Sequence, residues 1–544
     1  MSILLSLIKD VLIRKPTQNE VRAAQIEEKT NDQSHQDNVI AYYKDILAAV
    51  PRRADAFFNL GAALESQNPD MAIACYRKAI VLDQEYLPPK ISLLSHLQMR
   101  CEWSGLKSYI QEIRKVVRTA PISNKNHLSP FIFLTLPGTT AGEQKRCAER
   151  YTLIESPRPR VATLQNKLGF NFNRSPNKKI HIGYLSSDFR QHPISLLMAE
   201  IFELHDRSRF HITAYSYGQN DGSIMRNRLE NSFDSFVDTQ SDSYEETAKK
   251  IYADHIDILI DLTGYTLGTR SGILALRPAP IQVNYLGYPG TMGAEFVDYL
   301  IADRFTIPPE MQRCYTEKIV WLPDCFMPND RTRSRLPASP REEYGLPEAV
   351  FVFCCFNQPY KITEDMFNVW CRLLNNVPNS ILWLSSANPQ AENNLRQEAE
   401  HRGVNAERII IASKLTAIDD HLARLQCADL FLDTHPYNAH ATCSDALWMG
   451  LPVITCAGKT FPSRVAGSLL TAIGAPELIT YNLDDYYNLA LELATDRNKL
   501  HALRDKIIAN RDTAPLFDSK RFTKNLEDAY IKMMREHADN IHLQ

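Results

Sequence analysis

A polar loop between two apolar segments is the part of the chain whose residue types best suit chemistry. From Phe431 to Ser463 the sequence passes from an apolar segment, through a turn with His440 and Thr442, to a second apolar segment. The pattern predicts a buried strand, a helix that begins near Ser444, and a second buried strand. In an open α/β sheet, such a loop lies at the carboxyl end of one strand and at the amino end of the next helix.

This position favours the binding of an anion. Free N–H groups and the helix dipole attract negative charge at a helix amino terminus. The loop has neither a lysine-bearing P-loop signature nor a Gly-x-Gly-x-x-Gly pattern. We therefore expect hydroxyl, imidazole and backbone groups to hold a nucleotide diphosphate.

Three further motifs place polar residues directly after apolar segments. In chain order they are SSDFRQHPISLLM with His192, LRPAPIQVNYLGYPGT with Gly287 and Pro289, and FCCFNQPYKI with Gln358 and Lys361. A glycine turn allows close approach to the backbone, and a lysine at a strand end supplies positive charge where open α/β sheets bind ligands. The third motif therefore agrees with a diphosphate site.

From Lys179 onward, apolar segments alternate with helical ones. One set of predicted strands comprises IHIGYLSSDF, FHITAYSYG, IDILIDLTG, IQVNYLGYPG and YLIAD, and a second set comprises FVFCCFNQ, SILWLSS, RIIIAS, LFLDT and PVITCAG. Such runs, spaced by helices, predict an α/β fold with two Rossmann-like parallel-sheet lobes. The polar, proline-containing stretch from Pro328 to Ala349 is the predicted linker between them.

The residues from Asn38 to about Thr119 have an all-helical pattern. The segment ADAFFNLGAALESQNPDMAIACYRKAIVLDQE resembles a tetratricopeptide repeat, with small Ala63 and Ala72 where two helices must approach. One repeat cannot bury its own apolar face, so it must stack on the helical segments around it. Two interpretations stay open: a helical cap on the α/β lobes, or a groove that binds a partner protein.

Composition limits the class of protein. A chain of 544 residues is too long to fold around a single hydrophobic core, so two or three domains are expected. The net charge of −3 gives no electrostatic reason to expect nucleic-acid or membrane binding. The eleven cysteines lack zinc-ligand spacing, which favours reduced thiols and a cytoplasmic protein. The apolar segment of residues 1–15 is too short to span a bilayer, and we interpret it as an amphipathic helix.

Taken in order, the four motifs resemble the catalytic region of the O-linked N-acetylglucosamine transferases, the family that includes the SPINDLY subgroup. The resemblance covers the chain from about Lys179 to the C-terminus, and a tetratricopeptide region ahead of it is similar to the same family. It implies the GT-B architecture, in which two Rossmann-like lobes enclose a cleft. The domains expected are a tetratricopeptide-like region (1–122), a helical linker (123–178), a first catalytic lobe (179–330) and a second, nucleotide-sugar-binding lobe (331–544).

The resemblance also implies roles for residues of the second lobe. Gln358 and Lys361 would contact the donor pyrophosphate, and His440 and Thr442 would belong to the phosphate loop. Ala441 replaces a threonine of the family's loop, so one hydroxyl contact is missing while the backbone N–H remains.

Three further residues are implied to bind the nucleoside. Asp445 matches a ribose-binding aspartate, although it could also cap the predicted helix. His421 would stack on the base and Arg424 would reach its edge; alternatively, both cover a helix surface. Ile418 replaces a lysine of the family, which weakens the ribose contact.

In the first lobe, the resemblance implies that His192 is the active-site histidine beneath the sugar. Gly287 and Pro289 would form the turn that lets the backbone approach the sugar. With an intrinsic pKa of about 6.5, His192 can orient the sugar or transfer a proton. Asp257 stands where some family members have a second histidine, and Asp254 is a further carboxylate candidate, so the general base stays unassigned.

These implications define an expected function. It is the inverting, metal-independent transfer of N-acetylglucosamine from UDP-N-acetylglucosamine to serine and threonine hydroxyls of proteins. His192 and Lys361 would be catalytic, and no cofactor beyond the donor is expected. The alternatives are GDP-fucose or UDP-glucose as donor, and a non-catalytic tetratricopeptide adaptor. No aspartate pair or histidine cluster has the spacing of a metal site.

Overall fold

The computed structural model describes residues 33–172, 178–385 and 388–542. It contains two parallel sheets connected by helices, with a helical region ahead of them. The predicted fold class is therefore confirmed. The predicted amphipathic helix of residues 1–15 lies outside the described residues.

The helical region stacks its helices around one apolar core. Its described helices are α1 (Gln33–Ala49), α2 (Ala54–Leu64), α3 (Pro69–Leu82), α4 (Leu87–Met99), α5 (Leu106–Thr119), α6 (Pro130–Thr135), α7 (Ala141–Glu155) and α8 (Arg158–Leu168). Helices α2 and α3 form the predicted repeat, where a Cβ on Gly61 would lie 2.7 Å from the ring of Tyr76. Phe58, Tyr76, Leu93 and Ile113, from α2 to α5, share the core. The repeat therefore stacks on the helices that follow it.

The first sheet has, within the described residues, seven parallel strands in the order β3-β2-β1-β4-β5-β6-β7. The strands are β1 (Ile180–Ser186), β2 (Phe210–Ser216), β3 (Ser235–Asp238), β4 (Ile258–Asp261), β5 (Ile281–Asn284), β6 (Tyr299–Asp303) and β7 (Lys318–Leu322). From Ile182 onward every residue of β1 is buried, as expected for a strand covered on both faces. The order reverses between β1 and β4, which creates a switch point where open α/β sheets bind ligands.

The second sheet, as far as the described residues show, has six parallel strands in the order β10-β9-β8-β11-β12-β13. They are β8 (Phe351–Cys355), β9 (Ser380–Ser385), β10 (Ile409–Ala412), β11 (Leu430–Leu432), β12 (Val453–Cys456) and β13 (Ile479–Thr480). Here the order reverses between β8 and β11. The motif with Lys361 follows β8 and the polar loop with His440 follows β11, so both reach the switch point of this sheet.

Helices connect the strands of both lobes. The first lobe contains α9 (Pro193–Leu204), α10 (Ile224–Ser232), α11 (Tyr244–Ala253) and α12 (Gly272–Ala275). The second segment of the chain contains α13 (Glu364–Asn376), α14 (Pro389–His401), α15 (Ile418–Arg424), α16 (Ala441–Trp448), α17 (Val465–Ala472), α18 (Leu483–Thr495), α19 (Arg497–Asn510) and α20 (Ser519–His542). In the part of the chain that is described, none of the helices combines the length and apolar composition needed to cross a bilayer.

The helical region is docked on both lobes. The hydroxyl of Thr152 on α7 donates to the carbonyl of Met292 in the first lobe over 3.0 Å. The indole N–H of Trp103 donates to the carbonyl of Ile362 in the second lobe over 3.1 Å. These contacts make the region part of the same packed body as the two lobes.

The predicted linker, Pro328 to Ala349, connects the sheets but packs along the second lobe. Asn329 is 1% exposed, and Arg333 forms an ion pair with Asp445. The linker is therefore anchored to the second lobe at Arg333.

The last helix, α20, leaves the second lobe and packs on the first. Oε1 of Glu527 lies 3.0 Å from Nδ1 of His205, and the hydroxyls of Tyr530 and Tyr184 lie 3.0 Å apart. The segment predicted as the second lobe, residues 331–544, thus supplies a helix to the first.

Candidate active site

A cavity of about 550 Å³ lies where the two lobes and the helical region meet. Four of the predicted site residues line it, namely His192, Gly287 and Pro289 on the first lobe and His440 on the second. The helical region contributes a third wall, as expected of a helical cap, although the sequence did not identify its lining residues. The lining residues of that wall are His127, Ser129, Phe131, Ile132 and Tyr151.

His192 lies at the amino end of α9, and its ring accepts a hydrogen bond from the backbone. Nδ1 lies 3.3 Å from the N–H nitrogen of Ile194, and Oδ2 of Asp188 lies 3.7 Å from the same ring nitrogen. Burial lowers the pKa of His192. A neutral ring that accepts at Nδ1 carries its proton on Nε2, so in this arrangement His192 is a hydrogen-bond donor and not a base.

Gly287 is required by the sheet itself. A Cβ at this position would lie 2.0 Å from the carbonyl oxygen of Leu262, directly after β4. Only glycine therefore lets the β5 turn pass so close to the end of β4. The turn still brings Pro289 and the backbone of Gly287 to the cavity, as predicted.

Lys361 ends a short 3₁₀ turn (Pro359–Lys361) after β8. Its Nζ donates to the carbonyl of Asn438 over 2.9 Å and lies 4.5 Å from the centre of the Tyr437 ring, which lines the cavity. Burial lowers the pKa of Lys361 to about 8. Gln358 begins the turn with an exposed side chain, and its carbonyl accepts from the N–H of Lys361.

Asp433, which the sequence analysis did not single out, fixes the polar loop. Its carboxylate accepts from the N–H groups of Thr434 (2.7 Å) and Ala439 (2.6 Å) and from the hydroxyl of Thr455 (2.6 Å). Burial raises the pKa of Asp433 to about 7. The sequence did contain a signal for this role, namely an aspartate at the end of a predicted strand. The N–H groups of the loop that follows such a strand need hydrogen-bond acceptors.

His440 precedes α16 and stacks on Tyr437, with ring centres 5.0 Å apart. Its Nε2 lies 3.3 Å from the carbonyl oxygen of Pro462, and burial holds its pKa well below the usual value. A neutral ring that donates through Nε2 has Nδ1 as an acceptor. The hydroxyl of Thr442 donates to Oδ1 of Asn357 over 2.6 Å.

Helix α16 begins at Ala441, not near Ser444 as predicted. Small polar residues such as Ser444 and Asp445 are typical of helix starts, but here these two residues lie inside the helix. Asp445 therefore does not cap the helix, and that interpretation is wrong. Instead, Oδ1 of Asp445 accepts from Nη1 of Arg333 over 2.7 Å.

His421 and Arg424 form a pair on α15. Nη2 of Arg424 lies 2.6 Å from Nδ1 of His421, and the guanidinium lies over the ring of Phe356 at 4.8 Å. Burial, with the adjacent guanidinium, lowers the pKa of His421 to about 4. Arg424 is 5% exposed, so this residue does not merely cover a helix surface, and the neutral imidazole is suited to stacking.

The two carboxylates considered as general-base candidates lie at the wrong edge of the first sheet. Asp257 precedes β4 and accepts from the N–H of His181 over 2.9 Å, while Asp254 accepts from the hydroxyl of Tyr215 over 2.6 Å. The cavity lies at the carboxyl ends of the strands. Neither carboxylate therefore lies where a general base would act, and the general base stays unassigned.

The remaining predicted residues cluster around the ends of β8 and β11, although they do not line the cavity. These are Gln358, Lys361, His421, Arg424, Thr442 and Asp445. Within the described ranges, no three His, Cys, Asp or Glu side chains converge as metal ligands would.

Comparisons with known proteins extend over both lobes. Residues 101–336 and 329–526 match the model of glycosyl transferase family 41. A probable UDP-N-acetylglucosamine–peptide N-acetylglucosaminyltransferase of Arabidopsis thaliana, SEC, is 37% identical over 464 residues, 82% of this chain and 47% of its own length. A UDP-N-acetylglucosamine–peptide N-acetylglucosaminyltransferase of Caenorhabditis elegans is 31% identical, over 68% of this chain and 42% of its own length. The chain thus spans less than half the length of these relatives.

One solved structure matches almost the whole chain. It is a mutant of the O-GlcNAc transferase of Thermobaculum terrenum, with 25% identity and a TM-score of 0.77. The match covers 99% of this chain and 100% of the other. The helical region and both lobes thus have counterparts in one known protein.

Proposed function

The chain belongs to glycosyl transferase family 41, and we propose that it transfers N-acetylglucosamine from UDP-N-acetylglucosamine to serine and threonine hydroxyls of proteins. One observation carries the proposal. A cavity between the lobes is lined by His192 on the first lobe and by Ala441, the first residue of α16, on the second, and the buried ammonium group of Lys361 lies directly behind the lining residue Tyr437. The relatives named for this reaction support the choice of donor and acceptor.

Lys361 supports the departure of the nucleoside diphosphate. As the bond between sugar and diphosphate breaks, negative charge grows on the leaving oxygen. A fixed cation stabilises that charge more than it stabilises the bound donor. The carbonyl of Asn438 and the ring of Tyr437 hold the ammonium group in place. With a pKa of about 8, Lys361 is mostly protonated at neutral pH.

The first turn of α16 supplies backbone donors for the phosphates. Ala441 and Thr442 are its first two residues, where N–H groups lack intrahelical acceptors. The replacement of a threonine by Ala441 leaves this N–H in place. His440 has an acceptor nitrogen and suits a sugar hydroxyl better than a phosphate oxygen. We therefore assign the diphosphate to the N–H groups and His440 to the sugar.

His192 orients the sugar from the first lobe. In the tautomer set by the N–H of Ile194, its Nε2–H donates to a sugar oxygen. A single displacement then needs the acceptor hydroxyl on the face of the anomeric carbon opposite the diphosphate, which inverts the configuration. We place the acceptor on the side of the cavity that the helical region lines.

We propose that no metal takes part. Lys361 and the N–H groups of α16 supply the positive charge that a divalent ion supplies in other transferases. We also place the protein in the cytoplasm. Its eleven cysteines are free thiols, which supports a reducing compartment.

GDP-fucose and UDP-glucose are the alternative donors, because two residues depart from the family's donor site. Ile418 lacks the charge of a ribose-binding lysine, and Ala441 lacks a hydroxyl. A non-catalytic tetratricopeptide adaptor is the alternative from another class. The cavity lined by His192 and Ala441, with Lys361 held behind the lining residue Tyr437, supports catalysis instead.

A panel of nucleotide-sugars tests the proposal. Purified protein is incubated with each donor and a cell lysate, and intact-mass analysis detects the sugar added to proteins. We expect transfer of N-acetylhexosamine from the UDP donor and the loss of most of this transfer in the Lys361→Ala variant. Transfer of fucose or hexose would identify an alternative donor. Nucleotide binding without transfer from any donor would support the adaptor. Competition between UDP and GDP identifies the nucleotide.

A further inference from the structure

The helical region contacts the backbone on both sides of Lys361. Sγ of Cys101 lies 3.8 Å from the carbonyl oxygen of Pro359, two residues before the lysine. The indole N–H of Trp103 donates to the carbonyl of Ile362, the residue after the lysine, over 3.1 Å. The two carbonyls bracket the turn on which the ammonium group is carried.

The same part of the helical region also accepts hydrogen bonds from the second lobe. We call residues Met99–Trp103, which join α4 to α5, the corner segment. Nδ2 of Asn388 donates to the carbonyl of Met99 over 2.8 Å, and Nδ2 of Asn394 donates to the carbonyl of Arg100 over 2.9 Å. Carbonyls at a helix end lack intrahelical donors, and here the second lobe supplies them. Hydrogen bonds in both directions fix the corner segment against this lobe.

Trp103 adds packing to its hydrogen bond. Its ring centre lies 5.4 Å from that of Phe367 on α13, and the guanidinium of Arg402 lies 5.7 Å from its centre. Helix α13 begins at Glu364, directly after the lysine turn. The indole therefore contacts both the turn and the helix that follows it.

The second lobe holds the opposite side of the turn. The hydroxyl of Thr363 donates to the carbonyl of His435 over 3.2 Å, and Nζ of Lys361 donates to that of Asn438. The polar loop thus fixes the ammonium group, while the corner segment fixes the backbone that carries it. The position of the charge depends on both contacts.

We propose that the corner segment supports the donor site without touching the donor, and that Trp103 is the positioning residue that holds the turn of Lys361 in place. This inference rests on the proposed function, in which Lys361 neutralises the leaving diphosphate. The helical region then has a role beyond the acceptor, because its docking sets how well the charge is placed. A displacement of the corner segment by a bound protein would change turnover without any change in donor contacts.

The Trp103→Phe variant isolates the hydrogen bond, because phenylalanine keeps an aromatic ring against Phe367. Trp321 offers a matched control. It is also half-buried, and its indole N–H donates to the carbonyl of Ile307 over 2.7 Å, in the first lobe. Trp321→Phe therefore removes the same kind of bond away from Lys361.

The kinetic test compares the two variants in donor hydrolysis and in peptide transfer. We expect Trp103→Phe to lower kcat about fivefold in both reactions, the scale of one net hydrogen bond. The KM for the donor should change less than about twofold, since no donor contact is lost. Equal kcat values in Trp103→Phe and Trp321→Phe would overturn the proposal.

A titration of Lys361 tests the proposal independently of activity. Carbon-13 NMR of lysine-labelled protein reports the pKa, with the signal assigned from its absence in Lys361→Gln. We expect a pKa of about 8 in the wild type. In Trp103→Ala, water beside the turn should raise it toward the ordinary value of about 10.4. If Trp103→Ala does not fold, Trp103→Phe is used in its place. In the control Trp321→Ala the pKa of Lys361 should not change.

Failure of the proposed function and failure of the positioning role of Trp103 give different results. If no nucleotide-sugar is bound or hydrolysed but the titration shifts as expected, the proposed function fails and the positioning role stands. An unchanged pKa of Lys361 in a folded Trp103 variant would overturn the positioning role, whatever the protein transfers.

Discussion

Arg333 and Asp445 form a half-buried ion pair that joins the connection between the lobes to helix α16. Nη1 of Arg333 donates to Oδ1 of Asp445 over 2.7 Å, and its guanidinium lies 5.2 Å from the centre of the Trp448 ring. The two side chains are 8% and 19% exposed. Asp445 is therefore an arginine-paired carboxylate.

Replacing Arg333 by alanine should destabilise the second lobe, because Asp445 would become a buried carboxylate without its cation. The loss of one partner of a buried pair costs about 3–5 kcal/mol. Urea denaturation measures the change in the free energy of unfolding. The double variant Arg333→Ala/Asp445→Asn should recover part of the loss, since a buried amide costs less than a buried charge. A double variant no more stable than the single one would contradict this explanation.

The variant Lys361→Ala should lose most turnover. It removes the ammonium group that the second lobe holds against Tyr437. The loss of one positioned electrostatic contact costs about 2.7–4 kcal/mol, or about 10²–10³ in kcat. Steady-state kinetics with saturating donor measure it. Lys361→Met, which keeps the apolar stem, should lose as much, whereas the exposed Lys414→Ala should lose nothing. Near-normal turnover in the first two variants would refute the role of Lys361.

Turnover should fall as the pH rises through about 8, the pKa to which burial lowers Lys361. Below this pH the group carries its proton and stabilises the leaving diphosphate; above it, the neutral amine does not. A profile of kcat/KM for the donor, which reports the pKa of the free enzyme, shows this limb when the ionic strength is held constant. The residual activity of Lys361→Ala should lack it. A limb that persists in that variant would belong to another group.

The strand ends were predictable from the sequence because local patterns encode them. The apolar run before Asn357 and the polar turn at Lys361 specify a strand and its exit without knowledge of any distant partner. The start of α16 was misplaced because Ser444 and Asp445 are residues typical of helix starts. In the fold, the chain enters the helix earlier, from His440.

Contacts between distant segments were not predictable from one sequence. Arg333 meets a carboxylate 112 residues later, and Trp103 meets the carbonyl of Ile362, 259 residues later. No local pattern distinguishes these residues from other half-buried arginines and tryptophans. The lining residues of the third wall, such as His127, were missed for the same reason.

Removal of divalent cations should leave turnover unchanged. The ammonium group of Lys361 and the N–H groups at the start of α16 carry the positive charge that the leaving group requires. Rates are compared before and after dialysis against EDTA, with magnesium or manganese then restored. Activity that disappears with EDTA and returns with either ion would contradict the metal-independent mechanism.

The variant Glu527→Ala should release helix α20 from the first lobe. Oε1 of Glu527 accepts from the N–H of Asp206 over 2.8 Å and lies 3.0 Å from Nδ1 of the fully buried His205. Unsatisfied buried groups cost about 1–3 kcal/mol. Thermal and urea denaturation measure the loss. Glu527→Gln keeps an acceptor oxygen and should lose less. Glu536→Ala, on the same helix, breaks a partly exposed ion pair and should cost about 1 kcal/mol at most.

The pH dependence of stability provides a second readout of this contact. Burial lowers the pKa of His205 below its ordinary value of 6.5. As the pH falls, the imidazole of His205 is therefore protonated in the unfolded chain before it is protonated in the folded protein. The contribution of His205 to stability is complete above pH 6.5 and is lost as the pH falls below it. Replacement of the histidine by glutamine, His205→Gln, should flatten this part of the stability profile. An unaltered loss of stability below pH 6.5 in His205→Gln would assign the acid sensitivity to other groups.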